Sequence, residues 1–251
     1  MTETISNKQP VRRLDFQRVF GILLRPRQAF AATIAEARAT WLTPMLILSV
    51  TALLLVLVSG YLKTRAAAMG EVALPPDWQY WTPDMQNNYM QAQQLTQGKV
   101  FMYVIPLISA WTGLWLGWIV LGGLLHLGST LLGGRGSMQG ALNIVAWASL
   151  PFVVRDVLRI AYMLSASHAI TSPGLSGFAT SPFLVQLLTH TDIFLIWRII
   201  LLVIGFSLAD GLPRGKAVIG ILVVVTVMLA AQAGLGTLIS NFSGTAIQRP
   251  F

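Results

Sequence analysis

Arg155, Asp156 and Arg159 stand inside the otherwise apolar run NIVAWASLPFVVRDVLRIAYML, and Arg198 stands inside DIFLIWRIILLVIGFSLAD. An ionisable side chain at the centre of a bilayer costs about 2.5–3.5 kcal/mol on insertion scales, so such groups face protein or a water-filled crevice. At about 100° per helical residue, Ser149, Arg155, Asp156 and Arg159 share one sector roughly 120° wide. Three kinds of chemistry fit this set: an ion pair that locks two helices, a polar groove for a lipid headgroup, and a path for ions or protons. With the two runs antiparallel and each centred on its middle residue, Asp156 and Arg198 both lie about 4–5 Å to the external side of the midplane. That depth allows an Asp156–Arg198 pair, with Asp156–Arg159 as the competing local pair. Asp156 is the one acid placed clearly within the membrane, whereas a pathway distributes acidic or amide groups through depth. A structural ion pair is therefore the leading reading. Pro151, in the same run, denies the Trp147 carbonyl its intrahelical partner and predicts a kink.

A second candidate site lies in FGILLRPRQAF, where Arg25 and Arg27 flank Pro26. Phe16, Val19, Phe20 and Leu23 follow the i, i+3, i+4, i+7 spacing of one helical face. Proline fits the first turn of a helix and disfavours helical geometry at the residue before it, so Pro26 should end one helix near Leu24 and start another. The second helix would carry Phe30, Ile34 and Ala37 and reach Trp41. The expected device is a pair of amphipathic helices in the cytoplasmic interface, with Arg18, Arg25 and Arg27 on anionic lipid headgroups and Pro26 as the hinge. The plainer alternative is a positive-inside topology signal; docking of a protein partner of unknown identity is a further one.

These residues need membrane helices to position them, and the composition supplies such helices. The chain is 55% hydrophobic and 10% charged, whereas a soluble domain carries about a quarter charged residues. A span needs roughly 20 mostly apolar residues, and five stretches qualify: 44–62, about 100–132, about 142–164, about 192–209 and about 216–239. The second, about 50 Å as a straight helix, projects beyond the bilayer or bends near Gly122–Gly123, and is read as one crossing. The expected fold is an all-α integral membrane protein, five transmembrane helices preceded by cytoplasmic interfacial amphipathic helices. Its parts are an N-terminal segment 1–43, a membrane domain 44–240 and a tail 241–251. The segment before the first span is too polar for a secretory signal, so that span is expected to serve as an uncleaved insertion signal.

Basic residues set the orientation. Lys8, Arg12, Arg13, Arg18, Arg25, Arg27, Arg38, Arg135, Arg214 and Lys216 fall on one side of a five-span path, against Lys63, Arg65, Lys99 and Arg249 on the other. That bias predicts a cytoplasmic N-terminus and an external C-terminus. In the first external loop, Thr82, Pro83 and Asp84 announce a short polar helix, as cap, first helical position and first-turn acid. The second, roughly 165–191, is read as irregular and surface-hugging.

Several chemistries are excluded or unsupported. There is no cysteine, and three histidines are scattered, so no metal site is expected. No metalloprotease, P-loop or dinucleotide signature is present, so no cofactor and no enzymatic activity are expected. LGGRGS (132–137) is read as a tight cytoplasmic turn rather than a phosphate cradle. The net charge of +8 fits loops facing anionic headgroups rather than nucleic acid. Gly113 and Gly117 allow close helix approach, within the chain or in a homo-oligomer. His126 is read as a hydrogen-bonded interface residue rather than a ligand.

FGILLRPRQAF, LGGRGSMQGALNIVAWASLPFVVRDVL and TDIFLIWRIILLVIGFSLA occur in an order and spacing that resembles the Yip-type (Ypt-interacting-protein) membrane domain in its bacterial form. The features that carry the resemblance are the RP knot, the glycine-rich turn, the Leu150–Pro151 step and the Asp192, Phe194, Trp197 pattern. The resemblance implies a five-span helical domain with a cytoplasmic N-terminus, in a bacterial inner membrane. Eukaryotic relatives are linked to small GTPases of vesicle traffic and to organelle membrane shape, in association with a longer N-terminal region than this chain has. It carries over no catalytic residue. The expected function is non-enzymatic membrane organisation or partner scaffolding. A small transporter or channel-like protein using the Arg/Asp cluster is the alternative, and an intramembrane enzyme acting on lipid is a third reading.

Overall fold

A computed structural model describes residues 14–36, 38–70, 74 and 77–244. Ala37, Lys8, Arg12, Arg13 and Arg249, used above, lie outside the described residues. The regular elements are helices: α1 (Gln17–Leu24), α2 (Pro26–Ala35), α3 (Leu42–Ala68), α4 (Pro83–Thr96), α5 (Ile105–Leu131), α6 (Met138–Ala148), α7 (Leu150–Ala166), α8 (Pro182–Thr189), α9 (Ile193–Ala209) and α10 (Arg214–Gly244). A π-helical turn at Val100–Val104 leads into α5.

Four stretches are long and apolar enough to cross a membrane: Leu42–Ala68, Val100–Leu131, Met138–Ala166 and Arg214–Ser240. A fifth crossing is available if α8 and α9, bent by 59° at their junction, count as one span. The bend has a physical reason. With 17 residues, α9 is about 26 Å long, short of a hydrocarbon core of about 30 Å. The Asp192 side chain accepts from the Leu195 N–H at 3.0 Å and starts α9 afresh. The 165–191 loop is therefore not irregular throughout: Pro182–Thr189 is helical, capped by Ser181, and packs along α10.

Prolines set two other boundaries as their chemistry requires. Pro26 opens α2, and the Arg25 N–H closes α1 by donating to the Gly21 carbonyl at 2.8 Å. In the third span, Pro151 cannot donate to the Trp147 carbonyl, and the helix breaks at Ser149. The Ser149 N–H turns to the Ala146 carbonyl at 3.2 Å, and the Phe152 N–H donates to the Ser149 carbonyl at 3.0 Å. No such break occurs at Gly122–Gly123, where α5 runs on unbroken. Thr82 caps α4 as its sequence announces, accepting from the Met85 N–H at 3.4 Å, and Trp78, Trp81 and Tyr89 form an aromatic cluster beside it.

The core centres on α6. Trp147 is wholly buried, among Ile22, Phe30, Ile144, Leu202 and Phe206. Its Nε1 donates to the Thr40 hydroxyl at 3.0 Å. Asn143, one turn earlier, accepts from the Thr40 N–H at 2.9 Å and donates to the Arg38 carbonyl at 2.7 Å. The segment joining α2 to α3 is thus tied to the bundle, and α1 and α2 share its core through Ile22 and Phe30.

Candidate functional site

At one end of the bundle α1 and α2 form a clasped hairpin. The Asp15 carboxylate accepts the Arg18 N–H at 3.1 Å, supplying an acceptor at the start of α1. The Arg18 guanidinium pairs with Asp15 at 3.0 Å and with Glu36 beyond the end of α2, and lies 5.7 Å from the centroid of the Trp147 ring. Its side chain is only 10% exposed, so Arg18 joins the two helices from inside. Arg38 adds a second partner to Glu36 at 2.9 Å. Burial raises the Glu36 pKa, but the hydrogen bonds and charges of Arg18 and Arg38 outweigh it and hold the carboxyl below its ordinary value.

The outer edge of α1 is apolar and uncovered. Phe16, Phe20 and Leu24, each four residues apart, are 57%, 70% and 78% exposed. The face expected from the sequence divides: Val19 and Leu23 pack against the core, while Phe16 and Phe20 point away. Arg25 and Arg27 are exposed at the hinge on either side of half-buried Pro26.

Within the membrane segments, α7 and α9 bring the ionisable residues together, though in pairings other than those expected. Asp156, 5% exposed, pairs with its neighbour Arg155 at 3.0 Å. Neither an Asp156–Arg198 nor an Asp156–Arg159 pair forms among the described residues. Asp192 instead faces Arg159 at 3.4 Å and Arg155 at 3.8 Å. The register explains this: α7 carries its arginines one turn apart, and the acid that reaches them caps the start of α9. Asp192 was not among the expected cluster members; an acid just before an apolar run is a capping signal, but its proximity to α7 is a tertiary fact. Arg155 and Arg198 both lie over the Phe152 ring, at 4.4 and 5.0 Å. The Arg198 Nε is buried without a hydrogen-bond partner among the described residues.

Ser149, Arg155, Asp156 and Arg198 border a partly open cavity of about 450 Å³ lined by α3, α5, α7, α9 and α10. Ser149 donates to the Val145 carbonyl at 2.7 Å. Arg159 sits outside the cavity wall, on Asp192. Three further polar residues on the lining, Ser109, His190 and Gln232, had no motif to announce them. Gly113 and Gly117, expected to admit a close helix, face the cavity: a Cβ at either would meet nothing within 4 Å.

The glycine-rich turn is shaped by a carboxylate. A methyl at Gly136 would collide with the Asp210 carboxylate, and the Arg135 N–H donates to the Asp210 carbonyl at 3.3 Å. With an acid filling the turn, a phosphate would meet like charge, which favours the tight-turn reading. His126 has a buried Nδ1 without a partner among the described residues.

Fold and composition define a multi-pass, all-helical membrane protein, with four to five apolar crossings and a helical hairpin docked at one end. The chain matches the Yip1 domain over residues 20–235 and belongs to that family. Neither a curated protein nor a solved structure matches it.

Proposed function

We propose that this protein is a non-enzymatic organiser of the membrane that contains it, acting through the α1–α2 hairpin as a fixed interfacial wedge. The observation that carries the reading is the uncovered Phe16, Phe20, Leu24 edge on a helix that Arg18 clasps to α2 and that packs on the bundle through Ile22 and the Arg18–Trp147 contact. An amphipathic helix in the interface buries its apolar edge in the acyl boundary, and cationic neighbours draw it to anionic lipids. Arg25 and Arg27 supply that charge at the hinge. A free amphipathic segment would adapt to the bilayer, whereas one clasped to a multi-pass bundle imposes its depth on the lipid around it. The basic bias of the chain supports a cytoplasmic hairpin, and the resemblance to bacterial Yip-type domains supports an inner-membrane location. The glycine-rich turn shares the hairpin's side. Because the chain has no cysteine, a single cysteine at Gln139 that reacts with an impermeant reagent from outside sealed cells would overturn that orientation. Both acids of the intramembrane cluster face arginines, which supports a structural role for those pairs over a proton relay.

The test is reconstitution into anionic vesicles followed by electron cryomicroscopy. Wild type should narrow or tubulate the vesicles, and Phe20→Asp with Leu24→Asp should leave them as in protein-free controls. Equal vesicle shapes for wild type and variant at equal protein density would refute the proposal.

A further inference from the structure

The partly open cavity between the helices is built along its length from two kinds of surface. Chain direction sets the order: Met45 in α3, Leu121 in α5 and Val225 in α10 lie nearer the hairpin end, and Val56, Ser109 and Gln232 nearer the other. The hairpin end is apolar apart from Ser149, whose hydroxyl is taken up by the Val145 carbonyl. Arg155, Asp156, Arg198 and His190 border the cavity away from that end. Along α3 the lining runs from Met45 to Val56, about 16 Å of helix. Its volume of about 450 Å³ falls in the range of small-molecule sites, roughly 300–1,000 Å³.

The charges at the polar end do not balance. Asp156 and Asp192 take Arg155 and Arg159, but Arg198 has no carboxylate within ion-pair distance among the described residues, and its Nε is buried unpartnered. Its guanidinium lies over the Phe152 ring. A guanidinium within a membrane and without an anion is costly; an anionic group entering the cavity would supply the missing acceptors in the fork geometry arginine favours. Elsewhere on the lining, in α5, Gly113 and Gly117 leave open space where side chains would otherwise project. A bare inorganic anion would leave the apolar length empty, and an uncharged tail would leave Arg198 unpaired.

We propose that this cavity binds an anionic amphiphile, with a carboxylate or phosphate head on Arg198 and its acyl tail along the Gly113–Gly117 face. The site is separate from the wedge and does not depend on it.

Full-length protein in non-ionic detergent is stripped of lipid and titrated, by native mass spectrometry, with palmitate, phosphatidic acid, phosphatidylcholine and inorganic phosphate in separate arms. One palmitate or one phosphatidic acid should bind per chain, the tighter of the two identifying a free acid or a membrane lipid as the source. Arg198→Gln should weaken binding at least tenfold. Gly117→Leu, which projects into open space and alters no charge, should do the same while leaving the melting temperature near wild type. Phosphatidylcholine or inorganic phosphate binding as tightly as the anionic amphiphiles, or Gly117→Leu binding like wild type, would overturn the proposal.

Discussion

Replacing Arg18 with Met keeps most of the side chain's length and removes its charge, and should loosen the α1–α2 clasp without unfolding the bundle. Breaking a buried ion pair by deleting one partner costs about 3–5 kcal/mol, and an exposed pair contributes about 0–1 kcal/mol. Arg18 is 10% exposed, but its carboxylates reach water, Asp15 at 35% and Glu36 at 28%. The cost therefore falls between these limits, at about 2 kcal/mol, with roughly 0.5 kcal/mol more from the Trp147 ring contact. At tenfold per about 1.4 kcal/mol, opening of α1 and α2 becomes roughly 30- to 70-fold more frequent. Amide hydrogen exchange resolves this, because local opening is read segment by segment. Exchange over 17–35 should accelerate by that factor while α3 and α5 keep wild-type protection. The pH dependence follows from Glu36. Its pKa lies below the ordinary 4.5, so its contribution is complete above that value and is lost as pH falls through the lower folded value. Corrected for intrinsic rates, wild-type exchange should approach that of the variant on acidification below 4.5. An acceleration under about threefold at neutral pH, some 0.65 kcal/mol, would refute the clasp.

Asp192→Ala removes a helix cap, about 1 kcal/mol, and strands Arg159. Its melting temperature in detergent should fall further than that of Asp156→Asn, which keeps an acceptor for Arg155; equal values would place the cluster's stabilising acid elsewhere. Gly136→Ala should destabilise by about 1–3 kcal/mol through overpacking, and Asp210→Gly in the same chain should restore most of the loss. Additive losses in the double variant would show that the turn is not shaped by the Asp210 carboxylate.

Much of the architecture was legible because it rests on local chemistry. Pro26 and Pro151 break helices through a missing N–H and a steric clash, whatever surrounds them. Thr82 and Pro83 start α4 by the same kind of local rule. The stretch at 192–209 was legible only in part: the apolar run of α9 is evident, but its 17 residues fall short of a bilayer core, and α8, bent by 59° at the junction, lies in what read as a loop. Pairings were harder to read. Depth alone allowed Asp156 to meet Arg198, yet Arg155 is adjacent in sequence and Asp192 is brought in by the α8–α9 bend. Arg18 was read with the exposed basic residues because charge counts do not distinguish a guanidinium turned inward onto Trp147 from one facing lipid. Gly113 and Gly117 have a spacing that equally suits a helix contact and a cavity wall. In the structure both line the cavity with open space at their Cβ positions.

The most direct test of the wedge is the depth of its apolar edge. With no native cysteine, a spin label at Phe20→Cys reports oxygen against nickel-chelate accessibility in anionic nanodiscs. A label below the phosphate level in the otherwise wild-type chain is the expected result. A Phe20 label that is aqueous in the otherwise wild-type chain would contradict the membrane-organising role.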